Sequence, residues 1–347
     1  MDWRNSIVRA TMLAVLLSAS EVIAQDPPSP HRAGFESSRI TDSVRSRPIQ
    51  IDVWYPTAAD EAEHSYGLGA GRVAQKAPIA SGRFPVVLLT HGALGAATNY
   101  SWISEQLARF GFVVVGVSHF GESPVFGQST VDPATVGHFG ARTRDLSFAL
   151  DFALTRSKWA AAMDGERVGA LGHSSGGAVM TMLAGGRYRP EAMAAHCRSR
   201  EAERDRGCRY PVDASSESAA EPPTADPRVR ALVLLDPAVG PGFDDVGLAP
   251  VKTRTLVIGS VDNDFMPFAF HAGRYARLLP NVDVIRLEKG EGHFVYLDEC
   301  LLPIEAMGVR LCADRPGVVR REVHAALCNR IVDFFTQNLR TGVAAGK

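Results

Sequence analysis

Long apolar runs alternate with helical patterns along most of the chain. Pro85-Val-Val-Leu-Leu-Thr90 and Phe112-Val-Val-Val-Gly-Val-Ser118 are continuous and β-branched, as strands covered on both faces are. Between them, Tyr100, Ile103, Leu107 and Phe110 recur at helical spacing, and Gly111 stands where a C-terminal helix cap belongs. Ile49-Gln-Ile-Asp-Val-Trp-Tyr55 alternates instead, which predicts a half-buried strand. The rhythm continues with a helix through Leu146, Leu150, Ala153 and Leu154, a strand over Arg167 to Gly172, and a helix from Ala178 to Leu183. Further strands are expected at Val229 to Leu235, Thr253 to Gly259 and Val282 to Leu287, with a helix from Phe268 to Leu279 between the last two. Val319, Val323, Leu327, Ile331, Phe334 and Phe335 form one stripe on a closing helix. Strands alternating with helices predict an α/β fold, a mainly parallel sheet between helical layers.

Two segments break this rhythm. Residues 187–227 are rich in Arg, Glu, Ser, Pro and Ala where a short loop would do, so they read as an insertion after a helix, either a surface loop or a lid. At the other end, Arg4 and Arg9 precede an apolar run through Leu17, and Ala24 closes it. That order predicts a secretory signal over residues 1–24 and an exported protein, periplasmic or secreted. Ser18, Ser20 and Glu21 interrupt the run too early for a membrane anchor, and no later segment is long and apolar enough to span. Residues 25–45 read as a flexible lead-in, and 46–347 as one domain carrying the insertion.

In 347 residues, 37 Lys and Arg oppose 38 Asp and Glu, so the chain offers no global field for a nucleic acid. All five cysteines lie in the second half, and their spacing lacks the close pairs of a zinc site. In an exported chain the expected disulfides are Cys197–Cys208 and Cys300–Cys312, with buried Cys328 on the closing helix outside both.

The strand ending at Leu171 runs into Gly172-His173-Ser174-Ser175-Gly176-Gly177 and then a helix. This is a G-x-S-x-G turn in the strand-turn-helix setting that exposes a serine oxygen beside free helix N–H groups. A serine hydroxyl needs a base and the base needs a carboxylate, in the chain order Ser, acid, His. His293, flanked by Gly290 and Gly292 after the last predicted strand, is the candidate base; His173, inside the turn, is poorly placed. Three aspartates at strand C-terminal ends compete for the acid. Asp262 is preferred, on the first turn beyond a central strand, with Asp264 and Asp236 as alternatives. The backbone N–H groups of Ser175 and of Ala93, in His91-Gly92-Ala93, are the candidate oxyanion donors.

These residues resemble the α/β-hydrolase superfamily, and more narrowly the bacterial "predicted dienelactone hydrolase" group, which is similar to platelet-activating-factor acetylhydrolases and polyester-cleaving hydrolases. The resemblance spans about residues 45–340. It is carried by Asp52-Val-Trp-Tyr-Pro56, Phe84 to Gly92, Gly172 to Gly177, Asp226-Pro-Arg-Val-Arg-Ala231, Gly259-Ser-Val-Asp262 and Gly292-His-Phe294. It implies a serine hydrolase acting on carboxylic esters, small or polymeric, with Ser174, Asp262 and His293 as triad and Ala93 and Ser175 as oxyanion donors. The chain has Ser174 where true dienelactone hydrolases have cysteine, and Leu235-Asp236 echoes the acid position of the acetylhydrolases.

The expected chemistry is two-step acyl transfer through an acyl-enzyme, which requires no cofactor. Amide or peptide cleavage would use the same residues, and a non-catalytic binding protein on the same fold is the rival of another class. Tyr188, Met193, Tyr210 and Val212 are the insertion's main candidates to touch a ligand. So little apolar surface predicts a compact acyl group and a largely open site.

Overall fold

The computed structural model describes residues 29–210, 225–306 and 309–339. The segment read as an export signal, and Val212 in the insertion, lie outside the described residues. In chain order the elements are β1 (Arg32–Asp42), β2 (Arg47–Thr57), β3 (Ala62–Ser65), β4 (Ala70–Gln75), β5 (Phe84–Thr90), α1 (Ser101–Arg109), β6 (Val113–His119), α2 (Phe139–Thr155), β7 (Met163–His173) and α3 (Ser175–Leu183). Then follow α4 (Pro190–Cys197), β8 (Val229–Leu235), α5 (Asp245–Leu248), β9 (Arg254–Ser260), α6 (Ala272–Leu278), β10 (Val282–Leu287) and α7 (Arg320–Asn338).

Ten strands make one sheet in the order β10-β9-β8-β7-β5-β6-β2-β1-β4-β3. The run from β6 to β10 is parallel throughout, while β2 joins it antiparallel and β1 pairs antiparallel with β2. The apolar runs have a direct physical reading here. Along β5, Val86 and Leu88 face the core beneath α2 and α3, whereas Val87 and Leu89 face the core beneath α1 and α7. A strand buried on both sides has no position to give to a polar residue. At β7 the fit against α7 is so close that a Cβ on Gly169 would come within 2.6 Å of the Phe335 ring.

The chain leaves β5 for β6 on one side and then returns to β7 on the other. Loops at the carboxyl ends of β5 and β7 therefore diverge and leave a crevice, the place where open α/β sheets carry their ligands.

Part of the expected flexible lead-in is instead β1. Ala33, Phe35 and Ile40 are buried, and Phe35 sits opposite Trp54 across the β1–β2 ladder. The scattered charges of Arg32–Asp42 give it a loop-like composition, but pairing with β2 orders it. The expected disulfides Cys197–Cys208 and Cys300–Cys312 are both present, and Cys328 is buried on α7. Among the described residues no helix is long and apolar enough to cross a membrane.

Candidate active site

β7 delivers Ser174 to the crevice, and the tightness of the turn explains its glycines. A Cβ on Gly172 would lie 2.3 Å from the Gly176 carbonyl oxygen, and one on Gly176 would lie 2.6 Å from the His91 oxygen. Ser174 itself takes φ 55°, ψ −124°, a strained conformation for a residue with a side chain. Its Oγ lies 2.9 Å from Nε2 of His293, which the loop after β10 brings across the sheet edge.

The carboxylate behind the imidazole is Asp236. Its Oδ2 lies 3.5 Å from His293 Nδ1, and both side chains are buried. Asp262, the preferred acid from the sequence, is exposed; its backbone carbonyl accepts a hydrogen bond from Arg315, and no bond joins its carboxylate to His293 among the described residues. Asp264 accepts from the His293 backbone N–H at 2.9 Å, so it anchors the loop and not the ring. Sheet order supplies the reason for the correction. β8 is the immediate neighbour of β7, so Asp236, directly after β8, starts about 5 Å from the nucleophile strand, and a residue after β9 starts twice as far away. Asp236 also has φ 39°, a second strained side chain at the same edge. Burial pushes its carboxyl well above the usual carboxylate range, against the Ser260 hydrogen bonds, and burial likewise holds the His293 imidazole far below its ordinary value. The ring therefore rests neutral, with Nε2 able to accept the Ser174 proton.

Ala93 and Ser175 flank Ser174, and among the described residues neither backbone N–H is taken up by another acceptor. Their positions are set from behind by a group the sequence reading missed. Arg142 of α2 is buried and donates to Ser175 Oγ at 3.0 Å, Thr90 Oγ1 at 3.1 Å and the His91 carbonyl, with Glu122 opposite at 3.3 Å. Arg142 falls on the same helical face as Phe139, Leu146 and Ala149, and a charge on an apolar stripe was the available signal. His173 has a comparable holding role. The Gly92 N–H donates to the Tyr100 hydroxyl, Tyr100 donates to His173 Nδ1, and His173 Nε2 donates to the His293 carbonyl, at 3.1, 2.9 and 3.0 Å.

The described part of the insertion lines this edge, which the sequence reading expected to be largely open. Gly207 and Tyr210 join Phe265 and Met266 around an inner compartment of about 30 Å³ at Ser174. A second compartment of about 120 Å³ shares Ala93, Ser174, Tyr210 and Phe265 with the first and is also lined by Leu94, Phe294 and Leu297. Phe265 stacks on the His293 ring, centroids 5.4 Å apart and planes 13° from parallel. Tyr188 and Met193, also expected at the ligand, pack into the core. A buried clamp fixes the insertion. Asp205 Oδ2 accepts from His271 at 2.7 Å and from His196 at 2.9 Å, and Oδ1 accepts from the Gly207 N–H at 3.0 Å. Burial pushes the Asp205 carboxyl up, but His271 and then His196 more than reverse this, so it lies below the usual carboxylate value. Cys208, near His196 and Asp205, is bonded to Cys197 and so offers no thiolate to a metal.

A mostly parallel sheet with flanking helices, a strained serine elbow and a histidine on the loop after the last strand together define an α/β-hydrolase fold. A solved structure of a ferulic acid esterase from Streptomyces cinnamoneus superposes with a TM-score of 0.59 over 93% of this chain and 94% of its own, at 18% identity. The Chlorophyllase family model matches residues 64–194, which include Ala93, Ser174 and Ser175 but neither Asp236 nor His293. The cutinase est2 of Thermobifida alba is 28% identical over 37% of this chain, and the bis(hydroxyethyl) terephthalate hydrolase of Streptomyces coelicolor is 30% identical over 32%. The chain spans only 38% and 32% of those two proteins' lengths.

The clamp has a measurable consequence. Asp205→Ala leaves the disulfide intact but strands three buried donors, each worth about 1–3 kcal/mol if unsatisfied. Limited trypsin digestion should then cut faster among Arg198, Arg200, Arg204, Arg206 and Arg209 than in the native protein. Equal cleavage rates would show that the disulfide alone holds the segment.

Proposed function

We propose that this protein is an exported serine hydrolase of carboxylic esters with compact acyl groups, acting through Ser174, His293 and Asp236. The observation that carries the reading is the buried chain Ser174 Oγ, His293 and Asp236, at 2.9 and 3.5 Å. His293 Nε2 takes the serine proton as Oγ attacks the ester carbonyl, and Asp236 holds Nδ1 protonated and steadies the imidazolium that forms. The Ala93 and Ser175 N–H groups meet the developing oxyanion, with the buried Arg142 charge behind them. His293 returns its proton to the leaving alcohol, and the same residues then activate water against the acyl-enzyme.

Compartment sizes argue for the acyl group. The compartment lined by Val136, Phe139, Val239 and Met266 is the smaller and the more apolar, which supports it as the side for a compact acyl group while the larger one receives the alcohol. The similar proteins, a cutinase, a bis(hydroxyethyl) terephthalate hydrolase and a ferulic acid esterase, agree with an ester substrate, small or polymeric. Two disulfides suit an oxidising compartment, which supports export.

Hydrolysis of p-nitrophenyl acetate tests the triad. Ser174→Ala should lower kcat/KM by several orders of magnitude while the protein stays folded. Asp236→Asn should cost about 10³–10⁴-fold, because the wrong imidazole tautomer is then held, and Asp262→Asn should stay within about twofold. Full activity in Asp236→Asn would remove Asp236 from the mechanism.

Tyr210 lines both compartments. Tyr210→Ala should raise kcat/KM for a hexanoate ester relative to the acetate by about tenfold, a barrier difference of about 1.4 kcal/mol. An unchanged ratio would place the acyl boundary elsewhere.

A further inference from the structure

The segment after β9, where the acid was expected, carries an amide that grips the acid. Asn263 has only one possible orientation. Its Oδ1 accepts the backbone N–H groups of Phe265 at 2.9 Å and Met266 at 2.7 Å, and this turns Nδ2 toward Asp236. Nδ2 donates to Asp236 Oδ2 at 2.9 Å, the same oxygen that faces His293 Nδ1. Asn263 Nδ2 and His293 Nδ1 are 3.4 Å apart. With Nδ1 protonated they are two donors side by side on one carboxylate oxygen, so the imidazole can occupy only the remaining direction. The other oxygen, Oδ1, is held by the Ser260 N–H at 2.8 Å.

We propose that Asn263 is the positioning residue of the triad: its amide aims the Asp236 carboxylate at His293 Nδ1 and, through the turn it caps, sets Phe265 against the same ring. This inference rests on the ester-hydrolase reading for its kinetic consequence, but its structural content is independent of any substrate. Neutrality of the donor matters. A carboxylate here would place two like charges about 3 Å apart with His293 against both, which holds protons on the cluster to higher pH. The other groups facing the pair are Asp264 at the His293 backbone, the His173 ring 4.6 Å from that of His293, and the buried His271 and Tyr296.

Asn263→Asp is the decisive variant because it keeps the oxygen that caps the turn and replaces only the donor. The ring resonances of His293, assigned by their loss in His293→Gln, are followed by NMR against pH in the native protein and the variant. The inference expects the His293 titration to move up by about one to two pH units, with kcat for p-nitrophenyl acetate at pH 7 reduced at least about tenfold and KM within about threefold. An unchanged titration together with unchanged kcat would confine Asn263 to capping the turn and overturn the inference. A shifted titration in a protein that hydrolyses no ester would uphold the inference and count against the ester-hydrolase reading alone. Asn263→Ala, which loses both donor and cap, should lower kcat further and also disturb the preference for acyl length through Phe265.

Discussion

One buried guanidinium holds the two sides of the crevice in register. Arg142 grips the end of β5 through Thr90 and His91 and the start of α3 through Ser175, so the loop bearing Ala93 cannot drift from the elbow bearing Ser174. The charge is fully desolvated, an arrangement that persists only when partners surround it. Glu122 supplies the counter-charge, and burial pushes that carboxyl up while Arg142 draws it back. Beneath it, Thr90 also meets His119, His119 meets Asp145, and Arg45 and Arg47 close on the same aspartate. Such a network costs more to break than it contributes over an apolar core, so its value lies in specifying one arrangement.

The second restraint crosses from the loop bearing Ala93 to the loop bearing His293. Tyr100 and His173 connect the Gly92 N–H to the His293 carbonyl without touching the reacting atoms. Burial holds His173 neutral, and the neutral tautomer with the proton on Nε2 is the one both hydrogen bonds require. Ser174 is thus positioned by the sheet, Ala93 by Arg142 and His293 by His173. The insertion, through Asp205 and Tyr210, adds to a wall that it shares with Phe265 and Met266. The lining beside Ser174 and the placement of Ser174, His293 and Asp236 therefore draw on different parts of the chain.

The readable parts were those where local sequence and tertiary structure agree. Doubly buried strands such as Val86 to Leu89 need continuous apolar residues, and the Gly172 and Gly176 contacts admit no other residue, so the strands and the elbow were visible in advance. His293 was legible from its flanking glycines and its place after the last strand. Which aspartate stands behind His293 was not, because Asp236, Asp262 and Asp264 all follow strands, and the adjacency of β8 to β7 separates them. β1 was hidden because its stability comes from the β2 ladder and not from its own composition. The insertion looked too polar to wall a pocket, yet among its described residues Tyr210, Gly207 and a buried ion-pair clamp contribute to one. Arg142 was missed because a charged residue on a helix is ordinarily solvated, and its burial depends on groups distant in sequence.

That Ser174 is an activated nucleophile is the claim on which the rest turns, and covalent labelling reads it without knowledge of the substrate. Native protein treated with a fluorophosphonate and mapped by mass spectrometry should carry one adduct, on the peptide containing Ser174, at near stoichiometric yield. A folded protein that stays unlabelled at Ser174, or that labels equally after His293→Gln, would contradict an activated serine at this site.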